Sequence, residues 1–433
     1  MNSLIERTPT HITISLFRGW LVVAAAVAMG IVFGILYSWS VVKAGIPEAW
    51  GWSNADKALP YSVMCIMFAL IMVPAGRLQD RFGPRWVVLL GGALAGLGCV
   101  IAGVGDGSKL AYVIGFGVFT GIGVGFGYSA LTPAAIKWFP PQNTGLIAGI
   151  VVAGSGLAPV FLAPLTSWLL NRFAVTAATG IVKQGVSQAM IALGVLIWLV
   201  VGALFWVIEN PPLGFAAVPG THDRRTFTLQ ETSWQRMVRT PQFWLMYLMY
   251  FAGASAGLTF ISVAADLGRQ TLGELAFLAV VVLSLGNTLG RVIAGAISDK
   301  IGRHLTLFAE FLFQGGMIGA LFWVSKQATG NGLVILAVLF CVGLNYGANL
   351  AIFPAACKDQ FGIRYFGLNY GCLFTAFGLA GLVMPLLNGL IKDMTGNLDM
   401  SYVLIMGMMG IAALLALLSH YSAFSRSGQT ERG

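Results

Sequence analysis

GRLQDRFGPR at residues 76–85 and GAISDKIGRH at residues 295–304 share one pattern, G-x-x-x-D-[RK]-x-G, and lie 219 residues apart. Each copy stands between two long apolar runs. The glycines permit tight turns and close packing, and the aspartate in each copy can pair with a basic residue or accept bonds from a helix N-terminus. A motif that recurs at half the chain length predicts two similar halves arranged in parallel.

Apolar runs of about 20 residues flank both motifs and recur along the chain. They predict an all-α membrane protein with twelve transmembrane helices in two pseudo-symmetric six-helix halves. Of the 433 residues, 57% are hydrophobic and 9% are charged, whereas soluble proteins carry about 25% charged residues, so a soluble globule is excluded. The predicted spans, numbered 1 to 12, are residues 20–42, 58–78, 86–105, 111–136, 145–170, 187–208, 242–264, 275–298, 305–325, 331–356, 366–391 and 400–421.

The longest polar stretch, residues 209–240, separates six spans from six. We therefore expect an N-terminal half at 1–208, a cytoplasmic linker at 209–240 and a C-terminal half at 241–433. With both termini inside, the cytoplasmic loops hold 16 of the 25 Lys and Arg residues, and the outer loops hold eight. Because short loops rich in Lys and Arg stay in the cytoplasm, this count predicts that both termini are cytoplasmic.

The remaining composition bears on partners and on the class of protein. The net charge of +9 is spread over short loops and not gathered on one face, so no nucleic-acid partner is expected. The four histidines form no cluster that predicts a metal site, and no cofactor is expected. A membrane enzyme would need paired acids, metal ligands or an activated nucleophile, whereas the spans hold one Arg and one Glu. A receptor would usually carry a soluble domain, and the sequence predicts none.

The twinned motif resembles the signature of the major facilitator superfamily, and the resemblance covers the whole chain. It implies two parallel halves with the substrate site near the bilayer midplane at their interface. It also implies a multi-pass monomer among the lipids of a bacterial inner membrane. The motif residues expected to control the exchange between inward-open and outward-open states are Gly76, Asp80, Arg81, Gly83, Gly295, Asp299, Lys300, Gly302 and Arg303.

Six shorter stretches resemble the oxalate–formate antiporter and bacterial monocarboxylate carrier branch of that superfamily. Each is weak alone, but all six occur in the same order and register. They are Tyr37-Ser38-Trp39, Lys137-Trp138-Phe139-Pro140, Ala153-Gly154-Ser155-Gly156-Leu157, Arg239-Thr240-Pro241-Gln242-Phe243-Trp244, Ser298-Asp299-Lys300-Ile301-Gly302-Arg303 and Asn369-Tyr370-Gly371.

Arg291 is the candidate for binding the substrate. It lies eight residues before Asp299 in a run otherwise without charge, which places it about 12 Å inside the span. An arginine at that depth is a functional candidate, and its planar fork of donors suits a carboxylate. Asn287 is four residues earlier on the same helical face and can orient the guanidinium or bind substrate. A structural arginine paired with a neighbouring helix is the alternative.

The resemblance implies that Arg291 holds the carboxylate of a small organic acid and that aromatic side chains form the walls around it. Each tyrosine could instead anchor the interface or fill helix packing. Animal monocarboxylate carriers have, at the position of Asn287, an acid that takes part in proton coupling, so that proton route is in doubt here. The expected substrate-binding residues are Arg291, Asn287, Tyr37, Tyr128, Tyr346, Asn349, Phe374 and Phe377.

The number of cations in the spans predicts the charge of the substrate. Where the resemblance places a lysine in the oxalate carrier, six residues after Gly371, this chain has Phe377. One fixed positive charge matches one carboxylate, and a second carboxylate would be left uncompensated in a low-dielectric site. We expect a transporter of monocarboxylates of the L-lactate or pyruvate type, with a proton as the second partner. An anion exchanger of the oxalate–formate type is the alternative.

Two acids are candidates for carrying the proton. Glu310 lies seven residues after Arg303, about 10 Å into span 9, where it can titrate or form a structural pair. Asp266 is expected near the outer end of span 7, mostly solvated, with a possible part in an outer gate.

Overall fold

The computed structural model describes residues 9–139, 144–176, 182–183, 185–212, 231–326, 332–362 and 365–430. Within these ranges, twelve helical segments are long and apolar enough to cross a membrane. One segment occupies each predicted span, so the twelve-span fold is confirmed. Several helices run past the predicted bounds, because helical backbone continues beyond the apolar run; span 7, for example, continues to Leu272.

The first six spans are built from eight α-helical segments, one 3-10 segment and one π-helical segment. In chain order, span 1 is Pro9–Phe33, the 3-10 segment Gly34–Ser38 and Trp39–Ala44; a 3-10 turn follows at Glu48–Trp50; span 2 is Asn54–Phe82; span 3 is Pro84–Val104; span 4 is Lys109–Tyr112, the π-helical segment Val113–Thr120 and Gly121–Ile136; span 5 is Thr144–Arg172; and span 6 is Val186–Leu204.

The last six spans are more regular. In chain order, the short helix Trp234–Met237 precedes span 7, which is Pro241–Leu272; a 3-10 segment follows at Gly273–Ala276; span 8 is Phe277–Ile301; span 9 is Arg303–Ser325; span 10 is Gly332–Phe361; span 11 is Phe366–Thr395; and span 12 is Asp399–Thr430. The predicted linker 209–240 lies between spans 6 and 7, and its residues 213–230 are outside the described ranges.

Within the described ranges, strand structure is confined to the loop between spans 5 and 6. There, Val175–Thr176 and Val182–Lys183 pair as two antiparallel strands of two residues each. The all-α class is therefore confirmed for the membrane-spanning part.

The two motif loops have the same backbone geometry. Gly83 has φ 82° and Gly302 has φ 91°, a region that residues with a side chain rarely adopt. The N–H of each glycine donates to the carbonyl four residues earlier, and the next helix begins at once. Gly76 and Gly295 lie inside their helices, and a Cβ added at any of the four motif glycines would meet no atom within 4 Å. The expectation of close packing at the motif glycines is therefore wrong in this state, since each of the four faces open space.

The two halves meet along spans 2 and 11 and along spans 5 and 8. In the first contact, a methyl group on Gly378 of span 11 would overlap the side chain of Ala69 of span 2. The end of the bundle that carries the motif loops is called the motif end below, and the opposite end is called the distal end. At the distal end, Arg269 of span 7 donates a 2.9 Å hydrogen bond to the carbonyl of Ala44 after span 1.

Polarity is distributed as expected for a protein surrounded by lipid. Large apolar side chains such as Val292 and Trp323 are exposed, at 67% and 66%, while Asn287 and Asn349 are buried, at 1% and 2%. Because lipid is as apolar as a protein core, helices in a membrane turn polar side chains toward one another. Buried polar residues therefore mark the interior of this bundle.

Candidate functional site

The guanidinium of Arg291 projects from span 8 toward span 5. Its Nη1 donates a 2.9 Å hydrogen bond to the carbonyl of Val152, and its Nε lies 3.3 Å from Oδ1 of Asn287. The side chain is half-buried. Its Nη2 is shielded from solvent, and no described residue accepts a well-formed hydrogen bond from it. The arginine is therefore held in place by two of its nitrogens and keeps a third donor for another acceptor.

The contact between spans 8 and 5 depends on the small residues in Ala153-Gly154-Ser155-Gly156-Leu157. A Cβ added at Gly156 would lie 2.7 Å from Oγ1 of Thr288 and 3.7 Å from Cζ of Arg291. Ser284, one turn before Thr288, donates to the carbonyl of Gly156. Glycine at 156 thus lets the arginine lie against the backbone of the other half.

Three tyrosines surround the arginine, and all three were expected from the sequence. Tyr37 of span 1, Tyr128 of span 4 and Tyr346 of span 10 interact electrostatically with Arg291, and Tyr128 also lies within hydrogen-bonding reach of its guanidinium. The hydroxyls of Tyr37 and Tyr346 lie 3.4 Å apart across the interface between the halves, and the Tyr128 hydroxyl accepts a 3.5 Å contact from Ser155. These three tyrosines with Arg291 and Asn287 are called the arginine site.

Local backbone structure places Tyr37 at this point. It lies in the 3-10 segment Gly34–Ser38, all of whose residues are buried. A methyl group at Gly34 would overlap the side chain of Ala158 on span 5. Since a 3-10 turn has about three residues instead of 3.6, the segment rotates the faces of span 1 that follow it and directs Tyr37 toward the C-terminal half.

One side of the arginine site is closed by aromatic rings. Phe374 and Phe377 of span 11 stack with centroids 4.7 Å apart, and Phe68 of span 2 meets them edge-on at 5.4 and 6.2 Å. Phe68 also meets Tyr128 at 5.5 Å, and Phe377 meets Tyr346 at 6.3 Å. These three phenylalanines, called the aromatic wall, are all at most 4% exposed. Phe374 and Phe377 were expected from the sequence.

Phe68 and Tyr250 were missed by the sequence analysis. Tyr250 of span 7 lies 6.3 Å from Phe374 and 6.4 Å from Phe377, and its hydroxyl is 3.5 Å from that of Tyr370. The chain has 28 phenylalanines and 11 tyrosines, and nothing in hydropathy or spacing distinguishes these two from lipid-facing ones. Only the packing of spans 2, 7 and 11 identifies them.

Asn349 is the predicted substrate-binding residue that the structure places elsewhere. Its Nδ2 donates to Oε1 of Glu310 on span 9 and, at 3.0 Å, to the carbonyl of Asn345. Asn349 and Glu310 are both buried inside the C-terminal half. In this state Asn349 contacts Glu310, the candidate proton carrier. The role of Asn349 in substrate binding stays a prediction.

The charged motif residues of the second half form a cluster at the motif end. Arg303 contacts Asp299 at 2.6 Å and donates a 3.0 Å hydrogen bond to Asp359 at the end of span 10. Lys300 is exposed. In the first half, Arg81 is exposed and lies 5.3 Å from the ring of Phe82. The side chain of Asp80 lies outside the described part of the structure.

Asp266 lies at the distal end and forms an ion pair across the halves. Its Oδ2 is 3.3 Å from Nζ of Lys43 on span 1, which is only 8% exposed. The expectation of a mostly solvated carboxylate is therefore wrong, because the buried ammonium of Lys43 draws Asp266 into the interface. Its position at the distal end agrees with a role in an outer gate, which the sequence analysis named as one option for Asp266.

The site as a whole offers one fixed cation, several hydroxyl donors and a hydrophobic wall. Such a set can hold a small anion by charge-assisted hydrogen bonds while its apolar part lies against the rings. Among the described residues, no group of three His, Cys, Asp or Glu side chains is arranged to hold a metal ion.

Comparison with sequence families and proteins adds independent information. The model of the family described as Major Facilitator Superfamily matches residues 21–385. The chain is 27% identical over 368 residues to the uncharacterized MFS-type transporter YhjX of Escherichia coli (strain K12), covering 84% of this chain and 86% of that one. It is 26% identical over 368 residues to the oxalate:formate antiporter of Oxalobacter formigenes, covering 84% and 82%.

A mammalian relative and a solved structure are also similar. Monocarboxylate transporter 13 of Bos taurus is 25% identical over 413 residues, covering 94% of this chain and 91% of that one. The crystal structure of a bacterial homolog to the human lysosomal transporter Spinster, in an inward-facing and occupied conformation, superposes with a TM-score of 0.71 at 16% identity. That match covers 92% of this chain and 96% of the other, and at this identity it supports the fold alone.

Proposed function

We propose that this chain, which belongs to the Major Facilitator Superfamily, is a secondary active transporter of small monocarboxylates of the L-lactate or pyruvate type. In this proposal it moves the monoanion together with a proton by alternating access and catalyses no reaction. Its similarity to the oxalate:formate antiporter and to the monocarboxylate transporters supports a transporter of that type.

The incompletely bonded Nη2 of Arg291 is the observation that carries the proposal. Nη1 and Nε are occupied by Val152 and Asn287, whereas the buried Nη2 has no well-formed partner among the described residues. A carboxylate placed between Nη2 and the tyrosine hydroxyls would gain a charge-assisted hydrogen bond worth about 1.5–3 kcal/mol. It would also neutralise the one cation of the arginine site.

The aromatic wall supports the choice of a monocarboxylate. Phe377 is 1% exposed and stacks on Phe374, so an anionic second carboxylate on this side would meet rings and no cation. Burying an unpaired charge costs several kcal/mol, whereas a short aliphatic tail would pack well. Selection by size in such an apolar pocket is worth about 1–3 kcal/mol per misfitted methylene.

An anion exchanger of the oxalate–formate type is the second candidate. The similarity to the Oxalobacter formigenes protein favours it. Asn287 favours it too, because with asparagine at this position the arginine site has no carboxyl group to carry a proton. The two candidates differ in driving force. A proton symporter accumulates its substrate under an imposed pH gradient with no counter-anion inside, whereas an exchanger requires one.

The proposal includes a location and a mode of motion. The bacterial relatives support a bacterial inner membrane. The basic residues of the loops support a cytoplasmic location for both termini, which makes the motif end the cytoplasmic end. Residues 1–208 and 241–433 would then move as two bodies around the arginine site, joined by the linker 209–240. The distal-end contacts would open when the site faces outward. The protein would act as a monomer in lipid.

Competition for uptake in proteoliposomes tests the proposal. Labelled L-lactate enters vesicles under an inwardly directed proton gradient, and unlabelled L-lactate, pyruvate, formate and oxalate are added in turn. We expect lactate and pyruvate to compete best and oxalate least. If oxalate competes best and uptake requires an internal anion, the exchanger takes the place of the symporter.

A further inference from the structure

A second polar site lies inside the C-terminal half, one helix turn along span 10 from the arginine site. Its members are Glu310 and Gln314 of span 9 and Asn345 and Asn349 of span 10, and all four are at most 7% exposed. Of the four, only Asn349 was expected from the sequence to bind substrate, and its side chain faces Glu310 in this structure.

This second polar site has more hydrogen-bond acceptors than donors. Asn349 uses its amide nitrogen for Oε1 of Glu310 and for the carbonyl of Asn345. Three oxygens then remain buried without a partner among the described residues: Oε2 of Glu310, Oε1 of Gln314 and Oδ1 of Asn349. Gln314 lies four residues after Glu310, on the same helical face. Buried oxygens that lack donors are costly, and a proton on the carboxylate would supply one.

No described charge compensates an ionised Glu310. Span 9 packs against spans 8, 10 and 12, whose interior titratable groups include Arg291, Tyr346 and Tyr402. Among the described residues, Glu310 forms no ion pair with any of these groups, and its carboxylate accepts a hydrogen bond from Asn349. The remaining charged residues of these spans lie at their ends. An ionised carboxylate here would be paired with no cation.

We propose that Glu310 is a proton-binding site of the transport cycle and that it is protonated in the state described here. The bound proton turns Oε2 from an acceptor into a donor, directed to one of the neighbouring amide oxygens. The step is a protonation, in which the carboxylate takes one proton from a hydronium ion and gives the carboxylic acid and water. A sodium ion fits less well, because it would need more oxygens than the three without partners.

Span 10 connects this proton site to the arginine site. Tyr346 lies three residues before Asn349, so the two share a face of the helix, and Tyr346 contacts Tyr37 and Phe377. Both residues pack on glycines of span 7, where a methyl group at Gly253 would overlap Asn349 and one at Gly257 would overlap Tyr346. A shift of span 10 would therefore move both sites together.

A proton on Glu310 would balance the charge of the carrier during transport. This inference rests on the proposed monocarboxylate function. The loaded carrier has a carboxylate on Arg291 and a proton on Glu310, so both sites are neutral. The empty carrier has a cation at Arg291 and a carboxylate at Glu310, which do not pair but sum to zero net charge. Both crossings of the membrane then move no net charge through these two sites, which lowers the cost of each.

The test separates coupling from transport in proteoliposomes. For Glu310→Gln, which imitates the protonated acid, we expect lactate-for-lactate exchange to continue at a measurable rate. We also expect uptake driven by a pH gradient, and proton movement induced by lactate, to fall to the level of protein-free vesicles, because glutamine cannot bind and release a proton. Glu274→Gln, at an exposed acid before span 8, is the matched control and should keep both activities.

Each outcome has one meaning. Proton movement by Glu310→Gln at the wild-type rate overturns the proton site alone, whereas wild-type protein that exchanges lactate but moves no protons overturns the proposed symport. Wild-type uptake that follows a sodium gradient shows that the site holds sodium instead.

If Glu310→Gln does not fold, infrared difference spectra of lactate-loaded and empty wild-type protein provide the measurement. A carbonyl band of a protonated carboxylic acid that changes between these two states supports the inference. Its absence over the pH range in which the protein is stable contradicts it.

Discussion

The carboxylate of Asp393, near the end of span 11, accepts a 2.8 Å hydrogen bond from the backbone N–H of Asn54, the first residue of the span 2 helix. It also accepts bonds from the side chain of Asn54 and the N–H of Ala55, at 2.8 and 2.9 Å. A residue of one half therefore caps a helix of the other, where the helix dipole favours a negative charge. With the Lys43–Asp266 pair, this cap closes the distal end.

The cap predicts how the distal end opens. Asp393→Ala removes the acceptor for three N–H groups, so we expect the open distal state to be more populated. A single cysteine at Ser53, next to the cap, should then react faster with a thiol reagent in purified protein that lacks the natural cysteines. Glu48→Ala, an exposed acid at the same end, is the control. Equal labelling in all three proteins would show that the cap does not hold the distal end closed.

Arg291→Lys should lose substrate while remaining folded. Lysine keeps the charge, but one ammonium cannot bind Val152, Asn287 and a carboxylate in the geometry of the guanidinium fork. Lactate affinity, measured by calorimetry, should fall about tenfold or more, since each charge-assisted hydrogen bond contributes about 1.5–3 kcal/mol. Arg269→Lys makes the same change at the distal end and should leave the affinity intact. Wild-type affinity in Arg291→Lys would remove the arginine from the binding site.

Phe377→Lys should alter the preferred charge of the substrate. It introduces a second cation into the aromatic wall, so lactate uptake should weaken and oxalate should compete better than in wild-type protein. Phe377→Leu removes the ring without adding a charge and should not improve competition by oxalate. If oxalate competes equally well in both variants, the effect is explained by the loss of the phenylalanine ring and not by the added lysine charge.

Asp299→Asn should change the rate of transport more than binding. Arg303 would lose its 2.6 Å ion pair with Asp299 and keep Asp359. A surface ion pair is worth about 0.2–1 kcal/mol, so the balance of conformations should shift by up to about fivefold. We expect slower lactate uptake with nearly unchanged lactate affinity in the same preparation. A loss of affinity with normal uptake kinetics would place Asp299 in the binding site.

Cysteine labelling checks the proposed orientation. Single cysteines at Ser233, in the linker, and at Ser427, near the C-terminus, should resist a membrane-impermeant thiol reagent in intact cells because both positions are expected in the cytoplasm. Labelling should appear once the cells are made permeable. Ready labelling of either cysteine from outside would reverse the orientation and place the motif end outside.

The sequence alone determined which segments cross the membrane and which residues are neighbours along one helix. Apolar runs of about 20 residues identify spans whatever their partners. The spacing of four residues placed Asn287 beside Arg291, which the structure shows as a 3.3 Å contact. The positive φ of Gly83 and Gly302 likewise follows from the repeated motif.

The tertiary structure decided which spans meet. It brought Val152 to Arg291, Phe68 to Phe377, Glu310 to Asn349 and Asp393 to Asn54, and it turned Asn349 toward Glu310. Hydropathy cannot specify such pairs, because lipid and protein interiors are equally apolar and a span gains no hydrophobic free energy by choosing one neighbour over another. The neighbours are chosen by close packing at small residues and by buried hydrogen bonds, and both require the coordinates of two helices at once.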